Sequence, residues 1–451
     1  MTIAENRNYY VTGSNRQILN LALPIALSIL VPQINFITNN IFLGNLDQES
    51  LALAGITGVY YLIFAVIGNG INNGLQAIIA RRAGENRIDE IGKLFSQGIR
   101  LVVLLAAIGI ALTYFVAPFI FERVLSIPGS ETKVIQFLKI RIWGLVFLYI
   151  YQLRNAVLIG TNQSKYLIYG TFAETVANII LDYALIFGHF GLPEMGFNGA
   201  AIASVIAEAT GMLVVYAVIH IKGVSRQLKL YKNVAFDAKN IKLIFVQSSP
   251  LVLQYAISIT TWEFFYILIE HHGQRDLAIS NAMRNMFGFF GAFTWAFAAT
   301  RNTMVSNIIG QGKSDKVIGL INKIAKMSVC FSFSIALLLN IFPRTTLSIY
   351  GQNEEFIEHA IPVLRVVSLA LVLMSFGTIW LNAVTGTGNT KVNLAIEFIT
   401  IVFYSIYVYL ILGYWNLSII YGWMSEWLYW MLMFSMAFFY IRSGKWKNKV
   451  I

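Results

Sequence analysis

Asp182 stands in the middle of an apolar run from about Tyr166 to Phe190, in the stretch VANIILDYALIFG. A carboxylate at the centre of a membrane-spanning helix costs about 2.5 to 3.5 kcal/mol on insertion scales, so its place there calls for a role or a partner. Glu174, Asn178 and Asp182 follow in steps of four, which keeps them on one slowly drifting helical face. Such a face can exchange a proton or hold a small cation through hard oxygen ligands. Further polar groups fall in neighbouring apolar runs: Asn39, then Asn69, Asn72, Asn73 and Gln76 at helical spacing, then Asn155, and Ser204 with Glu208 one turn apart. Arg154 is the nearest basic residue in these runs and the natural candidate for a salt bridge to the acids.

The second half carries its own intramembrane charges, Glu263, Arg284, Arg301, Glu397 and Glu426. Ionisable groups at that depth face the interior and pair with one another. Glu263 is therefore expected to pair with Arg284 or Arg301, the other reading being a role in a substrate cavity. Trp262, Trp295 and Trp380 offer faces on which flat cations stack.

The elements that position these residues follow from composition. The 451 residues are 57% hydrophobic and 12% charged, with a mean hydropathy of +0.65, far too apolar for a soluble domain of this size. Apolar stretches between polar punctuation give about twelve spans, near 18–42, 54–80, 99–121, 134–158, 166–190, 197–221, 241–269, 278–304, 325–343, 359–384, 392–413 and 418–441. The fold class is thus an all-α integral membrane protein. The polar start lacks the short apolar core of a cleavable signal, so the first span is expected to insert uncut. Cys330 is the single cysteine, which excludes an intramolecular disulfide, and its place in a span is read as core packing.

The net charge of +11 is distributed by loop. Arg7 and Arg16, then Arg81, Arg82 and Arg87, then Lys222 to Lys239, then Lys313 to Lys323 and finally Arg442 to Lys449 alternate with neutral or acidic connections. That is the positive-inside pattern, which places both termini in the cytoplasm and sets aside nucleic-acid binding.

One internal offset recurs. Pro24 matches Pro250, Leu51-Ala52 matches Leu277-Ala278, Gly84 matches Gly310, Gly160-Thr161 matches Gly386-Thr387 and Tyr183 matches Tyr409, every pair 226 positions apart. The chain reads as two homologous six-helix lobes, 1–222 and 241–451, joined by a basic linker, 223–240. Six helices per lobe is an even number, so the lobes form a parallel repeat, an architecture suited to alternating access. Asn178 and Asp182 have Tyr404 and Val408 as counterparts, which favours function over a shared structural need.

The segment NIILDYALIFGHFGLPEMGFNGAAIAS, residues 178–204, resembles the signature of the multidrug and toxic compound extrusion (MATE) transporters. The duplicated layout, NNGLQAIIARRAGE at residues 72–85 and NAVLIGTNQSK at residues 155–165 are similar to that family as well. The resemblance implies an inner-membrane antiporter that expels amphiphilic, often cationic compounds against H⁺ or Na⁺, working as a monomer in the lipid bilayer with no further cofactor. It also implies a first-half cation site in which Asn155, Asn178, Asp182 and Ser204 take the matched positions. At the place of the family's first-helix acid this chain has Asn39, in Thr38-Asn39-Asn40-Ile41-Phe42-Leu43-Gly44. Glu174 or Glu208 is then expected to supply the second charge.

Two other classes compete with the exporter. A flippase for a lipid-linked or anionic substrate calls for a basic cavity, for which Arg154, Arg284 and Arg301 are the candidates. A membrane enzyme finds no support, because the chain has no clustered metal ligands, no nucleophile elbow and no phosphate loop.

Overall fold

A computed structural model describes residues 9–125, 129–232, 235–350, 353–447, 449 and 451, and leaves the side chains of Phe36, Gln48 and Val124 undescribed. Arg7, counted above among the basic residues, lies outside the described residues. The described chain is helical throughout. The first half contains α1 (Asn15–Leu46), α2 (Gln48–Gly84), α3 (Ile88–Phe115), α4 in two segments (Ser130–Arg141 and Gly144–Gly160), α5 (Leu167–Phe187) and α6 (Gly196–Ile221). The second contains α7 (Ala238–Glu270), α8 (Gln274–Gly310), α9 (Val317–Ile341), α10 (Glu354–Gly386), α11 (Thr390–Val408) and α12 (Ser425–Arg442).

Among the described residues, nine helices are each long and apolar enough to cross a bilayer, and the two segments of α4, bent by 42°, make a tenth. The remaining two are α8, lowered in hydropathy by Arg284, Arg301, Asn302 and Asn307, and α12, lowered by Glu426 and Arg442 near its two ends. The twelve expected spans are all present. The third is displaced: α3 begins at Ile88, and its expected tail folds as a separate short helix, Ala117–Val124, started by Pro118. Helix ends follow local chemistry. Asp47 caps α2 by accepting the Ser50 backbone N–H at 2.6 Å, and Gly188 stops α5 at a φ of +71°, a conformation that favours glycine.

The chain packs as two compact units, one running Leu27–Ser248 and one made of Ser249–Ile451 with the described residues up to Ala26. The repeat in the sequence places the boundary in the linker 223–240, whereas the chain changes unit inside α1, two residues after Pro24, and inside α7, just before Pro250.

Side-chain amides explain the difference. In the second-half unit, Asn307 accepts the Val11 N–H at 3.0 Å and donates to the Tyr9 carbonyl at 3.1 Å, Gln311 donates to the Val11 carbonyl at 3.0 Å, and Lys323 donates to the Gly13 carbonyl at 2.8 Å. Val11, Ile18, Leu21 and Ala22 are buried in that unit's core. In the first-half unit, Gln97 donates to the Ala235 carbonyl at 2.8 Å and accepts the Asp237 N–H at 3.2 Å, while Ser96 donates to the Leu230 carbonyl at 3.3 Å. Ala235 and Asp237 lie 226 residues after Tyr9 and Val11, and Lys323 lies 226 after Gln97. Each lobe's leading strap therefore docks on the bundle of the other half of the sequence. The basic linker is packed rather than free, with Leu228 and Leu230 fully buried and Lys229 paired with Asp89 at 2.6 Å.

Candidate functional site

Helix α5 is inside-out relative to a water-soluble helix. Its buried face carries Thr171, Thr175, Asn178 and Asp182, while Phe172, Ile180 and Tyr183 are exposed on the other side. That arrangement fits a helix with lipid on one side and a polar interior on the other. Three glycines bring α5 and α6 into backbone contact. A Cβ on Gly170 would lie 2.2 Å from Val215, one on Gly199 would lie 2.6 Å from the Leu185 carbonyl oxygen, and one on Gly211 would lie 2.9 Å from the Glu174 side chain.

Asp182 is completely buried, and neither of its oxygens accepts a hydrogen bond from the described residues. The Asn178 Nδ2, Thr175 Oγ1, Asn155 Oδ1 and Asn39 Oδ1 atoms are buried without partners in the same unit. Ser204 is half-buried on α6. A bare carboxylate with amide and hydroxyl oxygens is a donor set that suits a proton or a hard monovalent cation. No group of three or more His, Cys, Asp or Glu suited to a metal occurs among the described residues.

Glu208 has a different fate from Asp182. It is held by both Arg141 nitrogens, at 2.6 and 2.9 Å, and by the Tyr61 hydroxyl at 3.1 Å from each oxygen. The Arg141 guanidinium lies 3.6 Å from the centre of the Tyr61 ring. The expected basic partner Arg154 is therefore corrected: it donates to the Met212 carbonyl at 2.7 Å and lies over the Tyr216 ring at 5.0 Å. Sequence reasoning missed Arg141, although it lies inside the fourth expected span, 134–158, because its partner is 67 positions away on another helix.

In the other unit, Glu397 is buried among neutral donors. Ser258 and Tyr429 bond its Oε1, Ser258 at 2.6 Å, and Gln254 bonds its Oε2 at 3.2 Å. Asn393 supports the cage by donating to Gln254 at 3.0 Å and Thr385 at 2.9 Å. Glu426 accepts the Trp430 indole N–H at 3.0 Å.

The expected pairing of Glu263 does not occur. Glu263 is exposed, and among the described residues it forms no salt bridge with Arg284 or Arg301. Arg301 is fully buried with all three guanidinium nitrogens unbonded, 5.6 Å from the Trp380 ring centre, and Arg284 lies over Tyr266 at 5.0 Å. The opposite orientation of the α7 face accounts for this, since Glu263 points away from the unit's core while its neighbour Phe265 is fully buried. Trp380 is thus packed beneath an arginine, and Trp295 is exposed. Cys330, expected in the core, is exposed on α9, where a small apolar thiol suits a lipid-facing surface.

Known proteins agree with this architecture. The MatE family model matches residues 24–184 and 250–410, two stretches whose starts are 226 residues apart. A probable multidrug resistance protein NorM of Thermotoga maritima is 22% identical over 441 residues, covering 97% of this chain and 94% of that protein. One of Synechocystis sp. is 27% identical over 197 residues, 43% of this chain and 42% of that protein. Among solved structures, a MATE crystallised in complex with MaL6 superposes with a TM-score of 0.87 at 17% identity over 95% of this chain and 96% of that one. The outward-facing conformation of a multidrug resistance MATE family transporter of the MOP superfamily gives 0.84 at 17% identity, over 95% of each chain. The duplicated helical lobes, the polar interior of the first half and the family match covering both repeats make one conclusion: this chain belongs to the MatE family and is a multi-pass membrane transporter, not an enzyme.

Proposed function

We propose that this transporter is a secondary active antiporter that exports amphiphilic, cationic small molecules such as drugs and dyes in exchange for H⁺ or Na⁺. Alternating access moves the substrate, and Asp182 is the coupling carboxylate. The carrying observation is the burial of Asp182 with both oxygens unbonded, on a face shared with Asn178 and Thr175. A carboxylate so placed is costly until a proton or cation joins it, and that exchange ties ion occupancy to the state of the protein. Asn155, Asn178, Ser204 and Asn39 serve as oxygen ligands or proton-network partners. The relatives' description as probable multidrug resistance proteins supports export of drug-like compounds.

The chain works as a monomer in the inner (plasma) membrane with both termini cytoplasmic, as the alternation of basic loops supports. A lipid-linked anion would call on Arg154, Arg284 and Arg301, yet each of these lies over an aromatic ring of its own unit. Flipping is therefore the less favoured reading.

Asp182→Asn keeps shape and removes the titration. In proteoliposomes the variant should stay folded and lose dye efflux driven by an H⁺ or Na⁺ gradient. Wild-type efflux under both gradients would move the coupling site elsewhere.

A further inference from the structure

The Arg141, Glu208 and Tyr61 cluster does more than close a salt bridge. A planar guanidinium lies on the face of Tyr61 at 3.6 Å and presents two N–H donors to one carboxylate, which the Tyr61 hydroxyl also steadies. Those are the contacts by which a flat, delocalised organic cation is recognised: a ring beneath it and a carboxylate at its edge. We propose that Glu208 and Tyr61 form a subsite for a planar organic cation and that Arg141 is its resident occupant, displaced when such a substrate binds. The proposal deepens the export reading above and rests on it.

Three features make displacement feasible. Arg141 is the last residue of the first α4 segment, and the helix bends by 42° across the next two residues, so its backbone is at a break rather than inside a rigid rod. Gly144, just past the bend, lets the pair lie directly against the helix backbone at the break: a Cβ there would fall 2.1 Å from Glu208 Oε2 and 2.4 Å from Arg141 Nη1. Glu174 offers a second carboxylate close by, since its Oε2 would lie 3.0 Å from a Cβ on Gly211, one turn beyond Glu208 on α6. A displaced Arg141 therefore has another carboxylate to turn to. Replacing one cation by another also keeps the charge on Glu208 compensated throughout, which avoids the cost of stranding a buried carboxylate.

The test is ethidium binding to the purified full-length protein in nanodiscs, followed by fluorescence anisotropy. Arg141→Gln removes the competitor and should tighten ethidium binding by about tenfold, while Glu208→Gln should weaken it by about tenfold or more. The double variant Arg141→Gln/Glu208→Gln strands no charge and should bind as weakly as Glu208→Gln alone. Unchanged or weaker binding by Arg141→Gln, or wild-type affinity in the double variant, overturns the subsite. If Arg141→Gln does not fold, Arg141→Lys takes its place, since it keeps the charge but loses the planar fork; its ethidium affinity should rise, and no rise overturns the proposal. Failure of the export reading is seen separately, as undiminished gradient-driven efflux by Asp182→Asn whatever the ethidium series gives.

Discussion

Ser258 donates to Glu397 at 2.6 Å, and Gln254, one turn earlier on α7, donates to the other carboxylate oxygen at 3.2 Å. This acid is the hub that ties α7 to α11 and, through Tyr429, to α12. Glu397→Ala leaves Gln254 and Tyr429 without their acceptor, whereas Ser258 keeps a bond to the Gln254 carbonyl at 2.9 Å. Two half-buried donors left unpaired cost up to about 1–3 kcal/mol each. Thermal unfolding in detergent should show a large loss for Glu397→Ala and a smaller one for Glu397→Gln; equal stability of the Ala variant would remove Glu397 from this role.

The unbonded guanidinium of Arg301 leads to an opposite expectation. Removing one member of a buried ion pair destabilises by several kcal/mol, but Arg301 has no such pair and Glu263 is exposed. Arg301→Met should be neutral or stabilising, and Glu263→Gln should change stability by less than about 0.5 kcal/mol. Strong destabilisation by both, relieved in the double variant, would re-establish the pairing.

Close approach of α5 and α6 predicts a graded glycine series. At Gly199 the obstacle to a Cβ is the Leu185 backbone, which cannot turn aside, so Gly199→Ala should cost about 1–3 kcal/mol. Gly58 on α2 has nothing within 4 Å of an added Cβ, and Gly58→Ala should be neutral or slightly stabilising. Melting temperatures of the two variants in one detergent decide the matter.

Orientation is open to cysteine labelling in a Cys330→Ala background. Ser225 and Ser50, at the two ends of interest, are buried, so the exposed neighbours Arg226 and Asn45 are the better probes. If both termini are cytoplasmic, as proposed, Arg226→Cys should react with an impermeant maleimide only after the membrane is permeabilised, and Asn45→Cys should react without permeabilisation. The reverse labelling would invert the topology.

The Asp47 cap carries a small pH signature. The Ser50 backbone N–H, with further help from the Ser50 hydroxyl and Lys133, holds the Asp47 carboxyl below its usual range. A depressed acid contributes stability above its unfolded pKa, near 3.9, and loses it as pH falls through the folded value. Wild type and Asp47→Asn should therefore differ in stability above about pH 4 and converge as the pH falls through the lowered pKa of Asp47. Parallel curves across that range would mean the cap does not titrate.

The spans and their repeat were legible because both are written in local composition: α6, expected at 197–221, spans Gly196–Ile221. Asp182 and Asn178 were legible for a related reason, since polar groups at helical spacing in an apolar run must turn inward. Arg141 and the Glu397 cage were not. Their partners lie 67 and 139 positions away, and no local period connects a residue to one on a distant helix. Arg154 was the wrong partner because adjacency in sequence to Asn155 says nothing about which neighbour its long side chain reaches. The exchange of the leading straps was hidden too, although Asn307 and Gln311 stood in plain view, because their acceptors are backbone groups that any sequence supplies.

That exchange shapes how the protein is made. Val11, Ile18 and Leu21 belong to a core completed by α8, α9 and α10, so these residues cannot finish packing until α10 has been made. The first-half bundle in turn lacks residues 228–237 until the stretch beyond α6 is synthesised. A gene cut at 222 and expressed as two separate polypeptides would thus deliver each bundle without its clasp, and neither product is a self-sufficient half of the transporter.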